Sequence, residues 1–328
     1  MYREGNTMYR IGVDLGGTNI AAGIVDEKGN ILIKDSVPTR AERPAEEIGA
    51  DIAALAKKLC ESFGCATSDI ESIGIASPGI ADNDSGTIVY ANNLPFRNFP
   101  IAKIVGEGFG TNKVFVENDA NAAAWGEAVC GAAIGTKNSV MITLGTGVGG
   151  GIIIDNKIYG GFNHAGAELG HIVIEYNGKP CSCGRKGCWE AYSSATGLIN
   201  MTKEKLAECK EKGVPTLMED IVAKKGKVSG ITAFAASRMG DAPAKEVVDT
   251  YISYLACGLT NIVNIFQPEI ISIGGGISNE GDSLVEALLP IIRSEQYGGG
   301  GAISLTEIKI AKLGNDAGII GAAMLAKM

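Results

Sequence analysis

The chain nearly repeats itself when it is slid along its own length by 129 positions. IGVDLGGTNIAAGIVDEKG, from Ile11, then falls on VMITLGTGVGGGIIIDNKI, from Val140. Leu15 meets Leu144, Gly16 meets Gly145, Ile24 meets Ile153, Asp26 meets Asp155 and Lys28 meets Lys157. Each copy is a β-branched run, a glycine turn with a threonine, a second apolar run and an Asp-led polar turn, which predicts strand, tight turn, strand. A fold for this chain therefore contains two related halves.

Glycines at a hairpin turn let the backbone approach a ligand closely and aim several N–H groups at one anion. One such turn is an ordinary tight hairpin. Two copies, one carrying Asp14, point to a nucleotide's phosphates held from both sides of a cleft. GTGVGG formally matches the dinucleotide fingerprint, with Glu168 near the spacing of an acidic ribose ligand. That fingerprint opens a helix, however, whereas here IIIDNK follows and its β-branched residues favour a strand. No GxxxxGK[ST] occurs, which excludes the P-loop.

Elsewhere strand and helix alternate. Residues 44–64 have helical periodicity, ESIGIASPGI reads as strand and turn, and KVFVENDANAAAWGEA reads as a strand running through END into an alanine-rich helix. A long apolar helix runs from Ala242 to a stop at Pro268. PEIISIGGGIS is a strand ending at Gly274, Gly275 and Gly276 before another helix, YGGGG at 297–301 a mobile turn, and residues 1–7 a weakly ordered extension if Met8 is the initiator. At 328 residues, 45% hydrophobic and 20% charged, this is an α/β chain of two domains. A net charge of −8 and the lack of any Lys/Arg run argue against nucleic acid. Neither a membrane-length apolar stretch nor a signal peptide is present, so a cytoplasmic protein without a membrane partner is expected.

CSCGRKGCWE, residues 181–190, places Cys181, Cys183 and Cys188 within eight positions. That spacing suits a metal, yet a closed zinc site needs a fourth ligand and no fourth cysteine stands nearby. Cys60, Cys65, Cys130, Cys209 and Cys257 stand apart in apolar or helical surroundings and read as core residues.

Taken together and in order, DLGGTN, LGTGVGGG, ELGH and CSCGRKGCWE resemble the ROK family of sugar kinases and sugar-responsive repressors. The likeness covers nearly the whole chain. It implies a two-domain, actin-like ATPase (ribonuclease H-like) α/β fold with a cleft between the domains. A small N-terminal domain would span 1–119, completed by a C-terminal helix at 315–328, and a large domain 120–314 would carry the zinc site. The family's zinc takes a histidine from ELGH, here His171, with Cys181, Cys183 and Cys188. The sequence agrees, since one of its only two histidines stands ten residues before the first cysteine. His164 has no such support and reads as structural.

The resemblance also assigns roles. Asp119 matches the catalytic base, although an Asp in that setting is often only a helix N-cap. Asp14 would hold Mg²⁺ beside the phosphates, probed by Gly16, Gly17 and Thr18 on one hairpin and Gly145, Thr146 and Gly147 on the other. Gly274, Gly275 and Gly276 match the adenosine end, although a strand-to-helix turn explains them too. Asn93, Asn118, Asp119, Glu168, His171 and Glu190 would ring the sugar. The activity implied is ATP-dependent phosphorylation of a hexose at its 6-hydroxyl, glucose first, by a homodimer. N-acetylmannosamine, N-acetylglucosamine, fructose and allose are alternative substrates. A non-catalytic sensor would lack Asp119 or the phosphate glycines, and a repressor would carry a DNA-reading domain where only 13 residues precede Asp14.

Overall fold

The computed structural model describes residues 8–298, 301 and 303–328, so the extension at 1–7 and the centre of the YGGGG turn lie outside the described residues. Its first half, in chain order, is β1 (Tyr9–Leu15), β2 (Asn19–Val25), β3 (Ile31–Pro38), α1 (Ala45–Phe63), β4 (Ile70–Ser77), β5 (Ile80–Asp82), β6 (Thr87–Tyr90), β7 (Arg97–Phe99), α2 (Ile101–Phe109), β8 (Val114–Asn118) and α3 (Asp119–Cys130). Then follow β9 (Ser139–Leu144), β10 (Val148–Ile154), β11 (Lys157–Ile158), α4 (Glu190–Ser193), α5 (Ala195–Lys212), α6 (Leu217–Lys225), α7 (Thr232–Arg238), α8 (Ala242–Phe266), β12 (Ile270–Gly274), α9 (Asp282–Glu295), β13 (Glu307–Ile310) and α10 (Ala317–Ala323).

The repeat seen in the sequence is a repeat of structure. β1 ends at Leu15 and β2 starts at Asn19; β9 ends at Leu144 and β10 starts at Val148, each 129 positions later. The hairpins also sit alike in their sheets, which run β3-β2-β1-β4-β8 and β11-β10-β9-β12-β13. In the first, β1 and β2 are antiparallel while β4 and β8 run parallel to β1. A third, small sheet is β5-β6-β7.

Two compact units emerge from the packing. One takes the chain up to Met141 with Gly151–Ala167 and Ala311–Met328; the other takes Ile142–Gly150 and Glu168–Ile310. The boundary expected after residue 119 thus falls inside the first unit, because α3 packs on α10 and β4. Close approach makes that possible: a Cβ on Gly321 would fall on the carbonyl of Ala122, and one on Gly12 would fall on the carbonyl of Ile319. Only glycine allows the α10 backbone to lie directly on α3 and β1.

α1 buries Ile48, Ile52, Leu55 and Leu59, a helical stripe, on the side of β2 and β3, and ends at Gly64 in the left-handed conformation. The expected C-terminal helix at 315–328 is shorter. α10 covers Ala317–Ala323 and is flanked by 3-10 turns at Gly314–Asp316 and Met324–Lys327. The Met324 carbonyl accepts the indole N–H of buried Trp125 at 2.9 Å, consistent with the tightened final turn. In the second unit Trp189, Tyr192 and Tyr251 are fully buried, and α8 spans the residues read from the sequence. Among the described residues no helix is long and apolar enough to cross a membrane.

Candidate active site and zinc centre

β8 delivers the END triplet to the start of α3. The capping duty that Asp119 offered belongs instead to Asn118, whose side-chain oxygen accepts the N–H groups of Ala120 at 2.9 Å and Asn121 at 3.2 Å. Its amide nitrogen donates to the Gly79 carbonyl at 3.0 Å, so both ends of Asn118 are engaged. Asp119 becomes the first residue of the helix. One of its oxygens accepts the Ala120 N–H at 2.8 Å, and the residue remains open to solvent. Dense protein on its other sides raises its carboxyl above the usual range.

Asp14, at the end of β1, is pushed up to about 6, by burial first and by the negative charge of Asp119 second. The structure therefore sets two carboxylates against each other in the first unit. The α10 backbone closes on Asp14, since a Cβ on Gly318 would lie 2.8 Å from its carboxylate. The first turn is closed by Gly16 N–H to the Asn19 carbonyl at 2.9 Å and leaves Gly17 and Thr18 exposed, with the Asn93 side chain beside Gly17.

Beneath this lies a residue that the sequence reading passed over. Glu117, 4% exposed, accepts from the Asn118 N–H at 2.9 Å, the Asn121 amide at 3.0 Å and the Asn83 amide at 3.1 Å. Burial raises its carboxyl while these donors pull the other way. Its sequence signal was an acidic residue at the inner end of an apolar strand.

In the second unit the other turn, Gly145 to Gly147, is held by α5. Ala195 N–H donates to the Gly145 carbonyl at 2.9 Å and the Thr196 hydroxyl to the Thr146 carbonyl at 2.7 Å. Glu190 reaches the same turn. Its Oε2 accepts the Val148 N–H at 3.0 Å and leaves no room for a Cβ on Gly147, while its Oε1 accepts from Ser182 at 3.3 Å and from the Cys181 thiol at 3.7 Å. Glu190 thus ties the second hairpin to the cysteine loop. Thr146, Gly147, Cys181, Ser182 and Glu190 share a cavity of about 780 Å³.

His171, Cys181, Cys183 and Cys188 offer four ligand atoms within 4.8 Å of one another. Cys183 and Cys188 sulfurs are 3.6 Å apart, and the Cys181 sulfur is 3.7 Å from Nδ1 of His171. A tetrahedral zinc with Zn–S near 2.3 Å puts its sulfurs about 3.8 Å apart, so the donor set fits the ion. Nδ1 is the nitrogen turned to the thiols, so Nε2 of His171 is not needed to hold the ion. Trp189, next to Cys188, anchors the loop: its indole N–H donates to the Tyr254 carbonyl at 3.1 Å, and it fills the space where a Cβ of Gly258 would stand.

Glu168 is exposed and has no side-chain partner among the described residues. After β12, Gly275 takes φ +84 with Leu144 packed against it. Beyond it, Gly276 and Ile277 border a largely apolar cavity of about 520 Å³ with Ala195, Gly230 and Ile231.

The family model described as the ROK family matches residues 10–328. A glucokinase of Halalkalibacterium halodurans is 38% identical over 318 residues, covering 97% of this chain and 94% of its own. A xylose repressor of Bacillus spizizenii is 31% identical over 290 residues, covering 88% of this chain and 70% of its own. Among solved structures, a ROK family glucokinase from Streptomyces griseus in complex with glucose and AMPPNP superposes with a TM-score of 0.77 at 36% identity, covering 97% of this chain and 99% of its own. The chain belongs to the ROK family.

Proposed function

We propose that this protein transfers the γ-phosphoryl group of ATP to the 6-hydroxyl of a hexose, with glucose the substrate. The observation that carries the reading is the pairing of Asp14 with Asp119 beside a glycine hairpin, in a chain similar over nearly its whole length to glucokinases. Phosphoryl transfer asks a protein for positioning and charge stabilisation, plus a carboxylate to accept the hydroxyl proton. Asp119 is suited to that proton. Asn118 takes the capping work, which leaves an Asp119 oxygen free, and the raised affinity of its carboxylate for a proton helps it act as a base near neutral pH.

Asp14 would hold Mg²⁺ through coordinated water. Bound there, Mg²⁺ supplies positive charge to the transferring phosphoryl group. The turns at Gly16 to Thr18 and Gly145 to Gly147 would place backbone N–H groups on the phosphates, and the apolar cavity at Gly276 and Ile277 would take the base. Glu168, Nε2 of His171, Asn93 and Glu190 would pair with sugar hydroxyls, with the zinc-tied loop fixing His171 and Glu190. We read the enzyme as a cytoplasmic homodimer with one zinc per chain. A coupled assay of hexoses with ATP and Mg²⁺ tests the activity: glucose should give the highest kcat/KM, and an N-acetylated hexosamine doing so by tenfold or more would reassign the substrate.

A further inference from the structure

The loop that leads into Glu168, GGFNHAGA at residues 160–167, is held in a backbone that its residues do not favour. His164 has φ +60 and Ala167 φ +66, both in the left-handed region that costs a non-glycine residue about 1 kcal/mol or more. Such conformations persist where surrounding contacts over-determine them. Gly166 N–H to the Gly160 carbonyl, at 2.8 Å, closes the loop on itself, and Phe162 at its tip is 99% exposed. A side-chain tie to the rest of the first unit comes from His164, whose Nε2 lies 3.3 Å from Oδ1 of Asp82.

Asp82 ends β5, and its carboxylate is fixed in the turn to β6 by the Ser85 hydroxyl at 2.7 Å and the Asp84 N–H at 3.1 Å. The next residue, Asn83, donates its amide to Glu117 at 3.1 Å. Glu117 in turn holds the backbone N–H of Asn118 and the side chain of Asn121, the two residues that bracket Asp119 and Ala120. Two adjacent side chains of one hairpin thus hold the base loop through Glu117 and the loop before Glu168 through His164. His164, Asp82 and Asp84 also bring three ligand-type atoms within 4.8 Å of one another. The Asp82 oxygens are already spent on the turn, so a clasp accounts for the arrangement without a metal.

We infer that His164 is a positioning residue for sugar binding. Through Asp82 it locks the 160–167 loop, which runs directly into Glu168, onto the hairpin that also anchors the base loop. The inference rests on the sugar-kinase reading for the role of Glu168; the clasp itself does not.

Three variants separate clasp from backbone. H164A removes the donor, H164G removes it while relieving the left-handed strain, and H164Q restores an N–H at similar reach. KM for glucose should rise about three- to tenfold in H164A and H164G, about 0.6–1.4 kcal/mol, as one partly exposed hydrogen bond would give. KM for ATP should stay within twofold, and H164Q should recover most of the loss. Amide hydrogen exchange should speed up across 160–168 in H164A and H164G, with zinc content unchanged. The inference is overturned if glucose KM and loop exchange stay at wild-type values, if H164G alone behaves as wild type, or if both KM values rise together with zinc loss. Should the wild-type protein phosphorylate no hexose, the kinase reading fails, and loop exchange still decides whether the clasp exists.

Discussion

A base at Asp119 would have to be ionised when a hydroxyl arrives and yet want the proton, and the protein packed around an otherwise solvent-open carboxylate, which raises its proton affinity, is the physical means of meeting both demands. Asp119→Asn keeps the shape and removes the acceptor, so kcat should drop by roughly two to four decades with sugar KM little changed. A fall below tenfold in a correctly folded variant would remove Asp119 from the role of base. Asp14 gives a second test, through stability. Its carboxyl titrates at about 6 in the folded chain against 3.8 when free, so folding favours the protonated form. The cost of ionising it is present in full above pH 6, shrinks as pH falls, and is gone below 3.8. The gap of about two pKa units, at about 1.4 kcal/mol each, makes Asp14→Asn more stable than wild type by about 3 kcal/mol at pH 8 and by less than about 1 kcal/mol at pH 4. Urea unfolding without Mg²⁺ at both pH values measures it; equal gains at the two would refute the burial account.

The cysteine loop is the element in which packing and the proposed zinc would act together. Trp189 is seated against α8 where Gly258 leaves a slot, so a methyl group added there overpacks the anchor. Gly258→Ala should lower unfolding stability by about 1–3 kcal/mol and loosen zinc, read by denaturant titration and by metal release to a chelator. Cys183→Ser removes a ligand without touching that slot. It should raise KM for the sugar most, because His171 and Glu190 lose their alignment. The Glu190 bond to Val148 N–H carries a smaller effect to the second phosphate hairpin, so KM for ATP should rise modestly rather than stay fixed. Equal rises in both would mean general collapse instead of lost alignment. The core of the second unit does not depend on the ion, so far-UV circular dichroism should survive its removal.

At the scale of the whole molecule, the net charge of −8 sets how the protein meets polyanions. A gel shift at about 150 mM salt should show no operator-specific binding, since a net-acidic protein is repelled by the DNA backbone. A salt-resistant shift would favour the repressor-like side of the family. The duplicated hairpin, visible as one offset of 129 residues, became two sheets of matching strand order, so the architecture was legible from a local pattern. The long helix from Ala242 was equally legible because its apolar run is long and Pro268 follows its end. Less legible were the close approaches at Gly12 and Gly321, which bring together residues about 200 or more positions apart and leave no periodic signal along the chain.

By itself the sequence determined the features that depend on near neighbours. Strand and turn follow from β-branched runs around glycines, and the three thiols of a candidate metal site follow from their spacing, with His171 added by the family resemblance. Only the tertiary structure decided among polar residues of similar kind. It made Asn118 the cap and freed Asp119 from that work, buried Glu117 under both, and turned Glu190 toward the second hairpin as well as the cysteine loop. The reason is physical: hydrogen-bond partners and desolvation are sums over atoms that the fold gathers from distant parts of the chain, so the proton affinity of Asp14 or Asp119 has no local signature.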